Sequence, residues 1–223
     1  MRRTGMQRLV RWHIWLGWLV GVPLLLWTLS GLFMAARPIE QVRGDHLRSA
    51  PTSVNGSGLT FPQTVGPIGK VALIAQPRQP VWVVTKGDEP RRYAARTGKP
   101  IGPVDAAEAR DIAVATYSGT ATLAGVRLLS AAAAPLDLRR ARPSWQMRYD
   151  DGTHLYIDAA TGEVLALRTR WWRFFDLMWG LHIMDLQTRE DTSHPLLILF
   201  AVLAVTGSAF GFVLLFRRRR ARR

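Results

Sequence analysis

The sequence predicts an α+β membrane protein: two transmembrane helices flank an extramembrane domain made of a helix and antiparallel hairpins. Three observations carry this expectation. Residues 12–36 and 193–216 form two apolar runs without Lys, Arg, Asp or Glu, each longer than the roughly 20 residues a helix needs to cross the hydrocarbon core. Arginines crowd the far end of each run. Between the runs, short β-prone segments alternate with turn residues around one amphipathic helical pattern.

The basic tail 1–11 carries Arg2, Arg3, Arg8 and Arg11, and the tail 217–223 carries Arg217, Arg218, Arg219, Arg220, Arg222 and Arg223. These ten charges account for all but four of the net +14, and all 16 acidic residues lie between the tails. Arginines gathered beside two spans form the positive-inside pattern, with both termini cytoplasmic and the central residues 37–192 outside. Nucleic-acid binding by "RRRRARR" is the competing use, but basic runs next to a span ordinarily set topology. The expected partner is the lipid bilayer, and no nucleic acid is expected. A cleaved signal peptide ending near "FMAARP" competes for residues 12–36. Their length exceeds the about 7–15 residues of a signal core, and Trp12, Trp15, Trp18 and Trp27 suit a retained span.

The chain has no cysteine. Disulfides, iron–sulfur clusters and covalently attached c-type haem are excluded, while haem held by histidine is not.

Residues 37–68 are rich in Pro, Gly, Ser and Thr and predict a linker. In 69–104, "KVALIA", "PVWVVTK" and "RRYAA" predict a small antiparallel meander. Residues 105–170 open with "VDAAEARDIAVATY". Here Asp105 and Glu108 resemble a capping box, and Ala109, Ile112, Ala113 and Tyr117 make an apolar stripe. "SAAAAP" predicts a loop. "WQMRY", "HLYID" and "EVLALR" predict strands joined by turns at "DDGT" and "AATG". The same turn chemistry recurs. "PVWVVTKGDEPRRYAARTGKPIG" aligns with "PSWQMRYDDGTHLYIDAATGEVLA" after one single-residue shift, matching Trp82 to Trp145 and Thr97-Gly98 to Thr161-Gly162, so the domain is expected to hold two related hairpin units. The aromatic segment 171–192, with Arg173, Asp176 and Asp185 interrupting it, is expected to lie at the membrane interface.

"DDGTHLYIDAATGEVLALR", preceded by a helix beginning "VDAAEAR", resembles a PepSY domain. "RWHIWLGWLVGVPLLLWTLSG" and "GLHIMDLQTREDTSHPLLILFAVLAVTGSAFGFVLLF" resemble the PepSY-associated transmembrane family. The resemblance covers both spans and roughly residues 70–184. It implies a bacterial inner-membrane protein with a periplasmic domain. Larger relatives have four or more spans and include ferric-siderophore reductases carrying b-type haem; this chain departs from them in having two.

Of the five histidines, His46 and His154 read as solvated or packed side chains. His13, His182 and His194 border the membrane, where ionisable groups are costly and often functional. Gly17 and Gly21 follow His13 at i+4 and i+8. Two uses are open: flat space beside a haem-ligating imidazole, or the G-x-x-x-G pattern of helix packing, which Gly207 and Gly211 repeat in the second span. The first use makes His13, Gly17, Gly21, His182 and His194 the candidate site for haem b. A second inner ligand would then come from a homodimer or a membrane partner. The chain is expected to be an electron-transfer component in iron–siderophore reduction or supply to extracytoplasmic flavoproteins. The alternative is a non-enzymatic, membrane-anchored binding or regulatory module. No phosphate loop or zinc pair is present, and "DAATGEV" departs from the covalent-flavin motif after its Thr-Gly.

The topology is tested by a reporter that is active only outside the cytoplasm. Fused after Arg223 it is expected to stay silent; strong activity there would refute the two-span arrangement.

Overall fold

A computed structural model describes residues 5–220. Arg2, Arg3, Arg222 and Arg223 of the basic tails lie outside those residues. The chain forms two compact units, one comprising its terminal parts up to Pro38 and from Phe174 onward, the other Ile39–Arg173.

The terminal unit is built on two long helices, α1 (Gly5–Ala35) and α5 (Pro195–Arg220). Their apolar side chains are turned outward: Trp12, Trp15, Trp18, Leu19, Val22 and Leu25 on α1 are more than half exposed, as are Val205, Phe212 and Leu215 on α5. Water would not tolerate so large an apolar surface, whereas lipid covers it without penalty. The α1 residues that touch α5, or line the space between the helices, include His13, Leu16, Val20, Pro23 and Trp27. Their spacing of three and four is the seam of a left-handed helix pair.

The central unit holds two four-stranded antiparallel meanders. The first comprises β1 (Lys70–Ile74), β2 (Val81–Lys86), β3 (Glu89–Ala94) and β4 (Pro100–Ile101); the second comprises β5 (Leu123–Leu129), β6 (Ser144–Tyr149), β7 (His154–Asp158) and β8 (Val164–Arg168). Helix α3 (Ala106–Thr116) precedes the second sheet. Its Ala109, Ile112 and Ala113 pack on Met147, Leu155, Ile157 and Leu167, the inward positions of β6–β8. The other face buries Leu129, Tyr156 and Ala166 under Leu138. Strand β5 has no counterpart in the sequence-based expectation. It is an edge strand whose register shifts between Leu123 and Gly125, so its apolar alternation is broken where a strand would be recognised.

The internal repeat holds at the level of individual hydrogen bonds. Trp82 Nε1 donates to Thr60 O, and Thr60 N donates to Ala95 O; Trp145 Nε1 donates to Val104 O, and Val104 N donates to Ala159 O. Gly98 and Gly162 close the paired turns with φ of 66° and 75°. After Val104 the chain enters α3, whereas the nine residues after Thr60 form no helix. The segment read as a linker contains α2 (Ile39–Arg43) and a short 3-10 turn (Asp45–Leu47), and Ser49 N donates to Thr116 O at the end of α3. "SAAAAP" includes the 3-10 turn Ala131–Ala133.

Asp105 caps α3 by accepting from Glu108 N at 2.7 Å. Glu108 does not return the bond, because its carboxylate pairs with Arg92 of β3. Buried Arg92 also donates to Gln76 Oε1 and Gly102 O, and Gln76 Nε2 reaches Thr161 O. One guanidinium thus ties the first sheet to α3 and, through Gln76, to the turn at the end of β7.

Gly152 closes the β6–β7 hairpin at φ 79°, and a Cβ there would stand 2.7 Å from Arg170 Cγ. Gly152→Val is expected to destabilise the domain by about 1 kcal/mol or more. Gly56→Val, with nothing within 4 Å, is expected to leave the melting temperature of the full-length protein unchanged.

Candidate functional site

His13, His182 and His194 all fall in the helical unit. Near the N-terminal end of α1, the imidazole of His13 lies against α5. Its Nδ1 is 3.1 Å from Gly207 O, and a Cβ on Gly211 would come within 3.2 Å of its Cε1. Gly211 therefore leaves the recess the ring occupies, while a Cβ on Gly207 would instead meet Leu16 Cβ at 3.8 Å. A carbonyl oxygen only accepts, so Nδ1 carries the proton and Nε2 keeps its lone pair. Gly17 and Gly21 are turned ~40° and ~80° round the helix from His13. Nothing lies within 4 Å of either, so they open a flank beside the seam and do not contact the ring.

The opposite end repeats the arrangement. Helix α4 (Arg170–His182) continues from the central unit into the helical one, where Phe174 packs edge-on against Phe33 of α1 at 4.5 Å. At its C-terminus, His182 stacks on Trp27 with centroids 4.9 Å apart. His182 Nδ1 is 3.1 Å from both Trp27 O and Ser30 Oγ, while the Ser30 hydroxyl donates to Trp27 O. Again the proton belongs on Nδ1. Gly31 lies close under the ring, since a Cβ there would sit 3.2 Å from His182 Cε1 and the imidazole would have to give way slightly. Ser30 is buried and was not singled out from sequence; a hydroxyl inside an apolar run is the signal that marks it. His194 immediately precedes α5 and is half-buried, and its Nδ1 is buried without a hydrogen-bond partner.

A folded polar loop closes the end of the helical unit opposite His13. Asp185 accepts from the backbone N–H groups of Gln187, Thr188, Glu190 and Asp191 and from the Thr188 hydroxyl. Arg189 pairs with buried Asp176 of α4 at 2.6 Å, and Trp179 Nε1 donates to Arg189 O. The loop also delivers Met184 to an apolar cavity of about 200 Å³ between α1 and α5, beside Trp27, Leu197 and Phe200.

For the b-type haem that the sequence suggests, the ligand atoms fit and the space between the helices does not. Both imidazoles have a fixed tautomer with Nε2 as the donor atom. The cavity between α1 and α5, however, is below the ~300 Å³ at which pockets for drug-sized ligands begin. A porphyrin would have to lie on the open flank of the pair, where Gly17 and Gly21 leave room, closed from outside by another chain.

In the central unit, His46 is exposed. His154 belongs to a cluster not anticipated from sequence. Tyr156 OH donates to Asp137 Oδ1 at 2.9 Å and accepts from Gln146 Nε2, and His154 Nδ1 lies 3.3 Å from Tyr156 OH and 3.4 Å from Asp137 Oδ2. Burial works to raise the Asp137 carboxyl, but hydrogen bonds from His154 and Tyr156 and the charge of Arg173 hold it below the usual range. Burial and then Asp137 push the Tyr156 phenol upward. Among the described residues no group of three or more His, Cys, Asp or Glu side chains could hold a metal ion.

A family model described as the PepSY-associated TM region matches residues 10–223. No curated protein and no solved structure gives a significant match.

The Asp185 carboxyl is held well below its ordinary value by the Thr188 hydroxyl and then by the loop amides. A lowered folded-state value means the stabilisation is fully present above the unfolded value near 4. It is lost only as pH falls through the lowered one. Hydrogen-exchange protection of the amides of Thr188 and Asp191 is therefore expected to be unchanged from pH 8 to pH 5, and to collapse at every pH in Asp185→Ala.

Proposed function

The chain belongs to the PepSY-associated TM region family, and from that premise we propose that it is a b-type haem electron-transfer component of the bacterial inner membrane, with both termini cytoplasmic and the central domain periplasmic. The observation that supports this reading is the repeated histidine arrangement. His13 and His182 each commit Nδ1–H to a backbone carbonyl of a neighbouring helix, which fixes the ring and leaves Nε2 as a ligand atom. Along α1, His13 and the His182 contact at Ser30 are separated by ~25 Å, close to the thickness of the hydrocarbon core. One haem station at each face is the arrangement that would carry electrons across.

Haem supplies a one-electron carrier whose potential its axial ligands tune. The chain's residues do the rest. Gly211 admits the His13 ring and the Gly207 carbonyl holds it, Gly31 and Ser30 seat His182, and the Asp185 loop fixes the end of α4 that presents it. His194, with its buried Nδ1, is the additional outer candidate. A second inner ligand comes from another chain, and His13 of a symmetric homodimer is the simplest source. Iron–siderophore reduction and supply to extracytoplasmic flavoproteins are the outputs that suit such a carrier.

A second reading, an anchored binding module, is favoured by a groove of about 360 Å³ in the central unit. It lies between residues 49–52, β1, α3 and the start of β8.

The readings separate by colour. Protein purified from haem-replete cells is expected to show a haem b spectrum reducible by dithionite. His13→Ala should remove the inner haem and leave the outer one, His182→Ala should do the reverse, and Gly17→Leu should weaken the inner site by filling its flank. Colourless wild-type protein would rule out electron transfer and leave the binding module.

A further inference from the structure

The two meanders of the central unit have four outer strands, and three of them are closed to further pairing. β4 is two residues long. β5 and β8 each carry a register shift against the neighbouring strand, with Ala124 and Leu165 as the extra residues. Short outer strands and bulges are the devices by which a sheet turns a further strand away. β1 has neither. Its five residues pair with β2 in unbroken register, from Lys70 opposite Thr85 to Ile74 opposite Val81. Beyond Lys70 the strand is wholly apolar, and no backbone elsewhere among the described residues bonds to its outer side. A row of amide donors and carbonyl acceptors therefore stands open along it.

The groove of about 360 Å³ lies beside this edge. Lys70, Ala72 and Ile74, the alternate residues on one face of β1, line it together with Ile112 and Ala115 of α3, and Glu163 stands at the β8 side. Adjacent strands share their pleat, so a strand laid against β1 would send every second side chain into the groove. Direction follows from the sheets, in which every strand pair is antiparallel. A strand added in the same sense has its C-terminal end beside Lys70. The Lys70 ammonium is exposed and meets no carboxylate among the described residues, so an acidic residue at that end completes a cross-strand pair. Pairing of β1 with a second copy of itself lacks this match. Antiparallel self-pairing about Ala72 sets each Lys70 opposite an Ile74.

We propose that β1 is the docking edge for an extended segment of a partner protein. The segment adds antiparallel to the first meander, places alternate apolar side chains in the groove and sets a carboxylate against Lys70. Main-chain bonds would supply the attachment and the groove the selectivity. The proposal rests on the reading of the central unit as a binding module and holds whether or not haem binds.

The test titrates the full-length protein in detergent with a fluorescent synthetic peptide of alternating threonine and valine that ends in an amidated aspartate. Two further peptides carry N-methyl groups on one or the other alternate set of backbone amides. The parent peptide is expected to bind, one methylated peptide to lose binding and the other to keep it, because only one set of amides faces β1. Lys70→Glu is expected to weaken the parent peptide roughly fivefold and to strengthen one ending in lysine. Equal binding of the parent and both methylated peptides would overturn strand pairing while leaving the groove as a site for apolar side chains. Binding of none would remove the binding module as well. Unchanged affinity in Lys70→Glu would overturn the antiparallel docking against Lys70. The chain has no cysteine, so Ala72→Cys introduces a single one; a disulfide-linked dimer formed without peptide would overturn the proposal and assign the edge to a second copy.

Discussion

Two helices in lipid have no hydrophobic reason to associate, because the acyl chains are as apolar as their own side chains. What joins α1 to α5 must be close packing and hydrogen bonds, and both converge at His13 and the glycines opposite it. Gly211 leaves the space that the His13 ring fills, and His13 bonds there to the carbonyl of Gly207. The remaining seam follows from this contact. Leu16 meets Gly207, and Val20, Pro23 and Trp27 continue the spacing toward the other end of α1. There, His182 of α4 makes an equivalent bond with the backbone of α1, so α1 is held by an imidazole on a carbonyl near each end, to α5 at one and to α4 at the other.

These bonds have a chemical consequence beyond packing. Each consumes the proton-bearing nitrogen and leaves the other with a lone pair, so the interaction that fixes the helix also fixes the tautomer. The reading as an electron carrier and the reading as a membrane anchor therefore share one structural basis. They differ only in whether Nε2 has a partner. At the His182 end the constraint is supplied by Asp185, whose carboxylate gathers four backbone amides into a loop that ends α4 and delivers the chain to α5.

The central unit solves a different problem, the joining of two similar half-domains of which only one has a helix. The repeated tryptophan-to-carbonyl bonds preserve the common frame, while Arg92 supplies the asymmetric connection from β3 to α3. Burying a guanidinium is costly unless its donors are satisfied; here Glu108, Gln76 and Gly102 accept from the two terminal nitrogens of Arg92, while its Nε is buried without a partner. Glu108 is drawn from the reciprocal capping bond its position suggests into this pairing, so α3 is capped by Asp105 alone.

The sequence by itself determined the two spans, helix α3, the β6–β8 hairpins and the internal repeat. Each is written in local periodicity, turn chemistry or run length, and these need no distant partner to be recognised. It also marked His13, His182 and His194, since ionisable residues beside apolar runs are conspicuous. What it did not determine is what those side chains touch. Gly17 and Gly21 share a spacing with His13, yet the glycines against its ring are Gly207 and Gly211, nearly two hundred residues away in the chain. Ser30, Asp137 and Tyr156 are polar residues whose placement acquires a reason only when His182 or His154 arrives from elsewhere. Strand β5 pairs with β6 across a bulge that erases its alternation. In each case the deciding interaction joins residues far apart along the chain. Tertiary structure alone supplied it, because a hydrogen bond or a packed ring depends on separation in space and sequence records only separation along the chain.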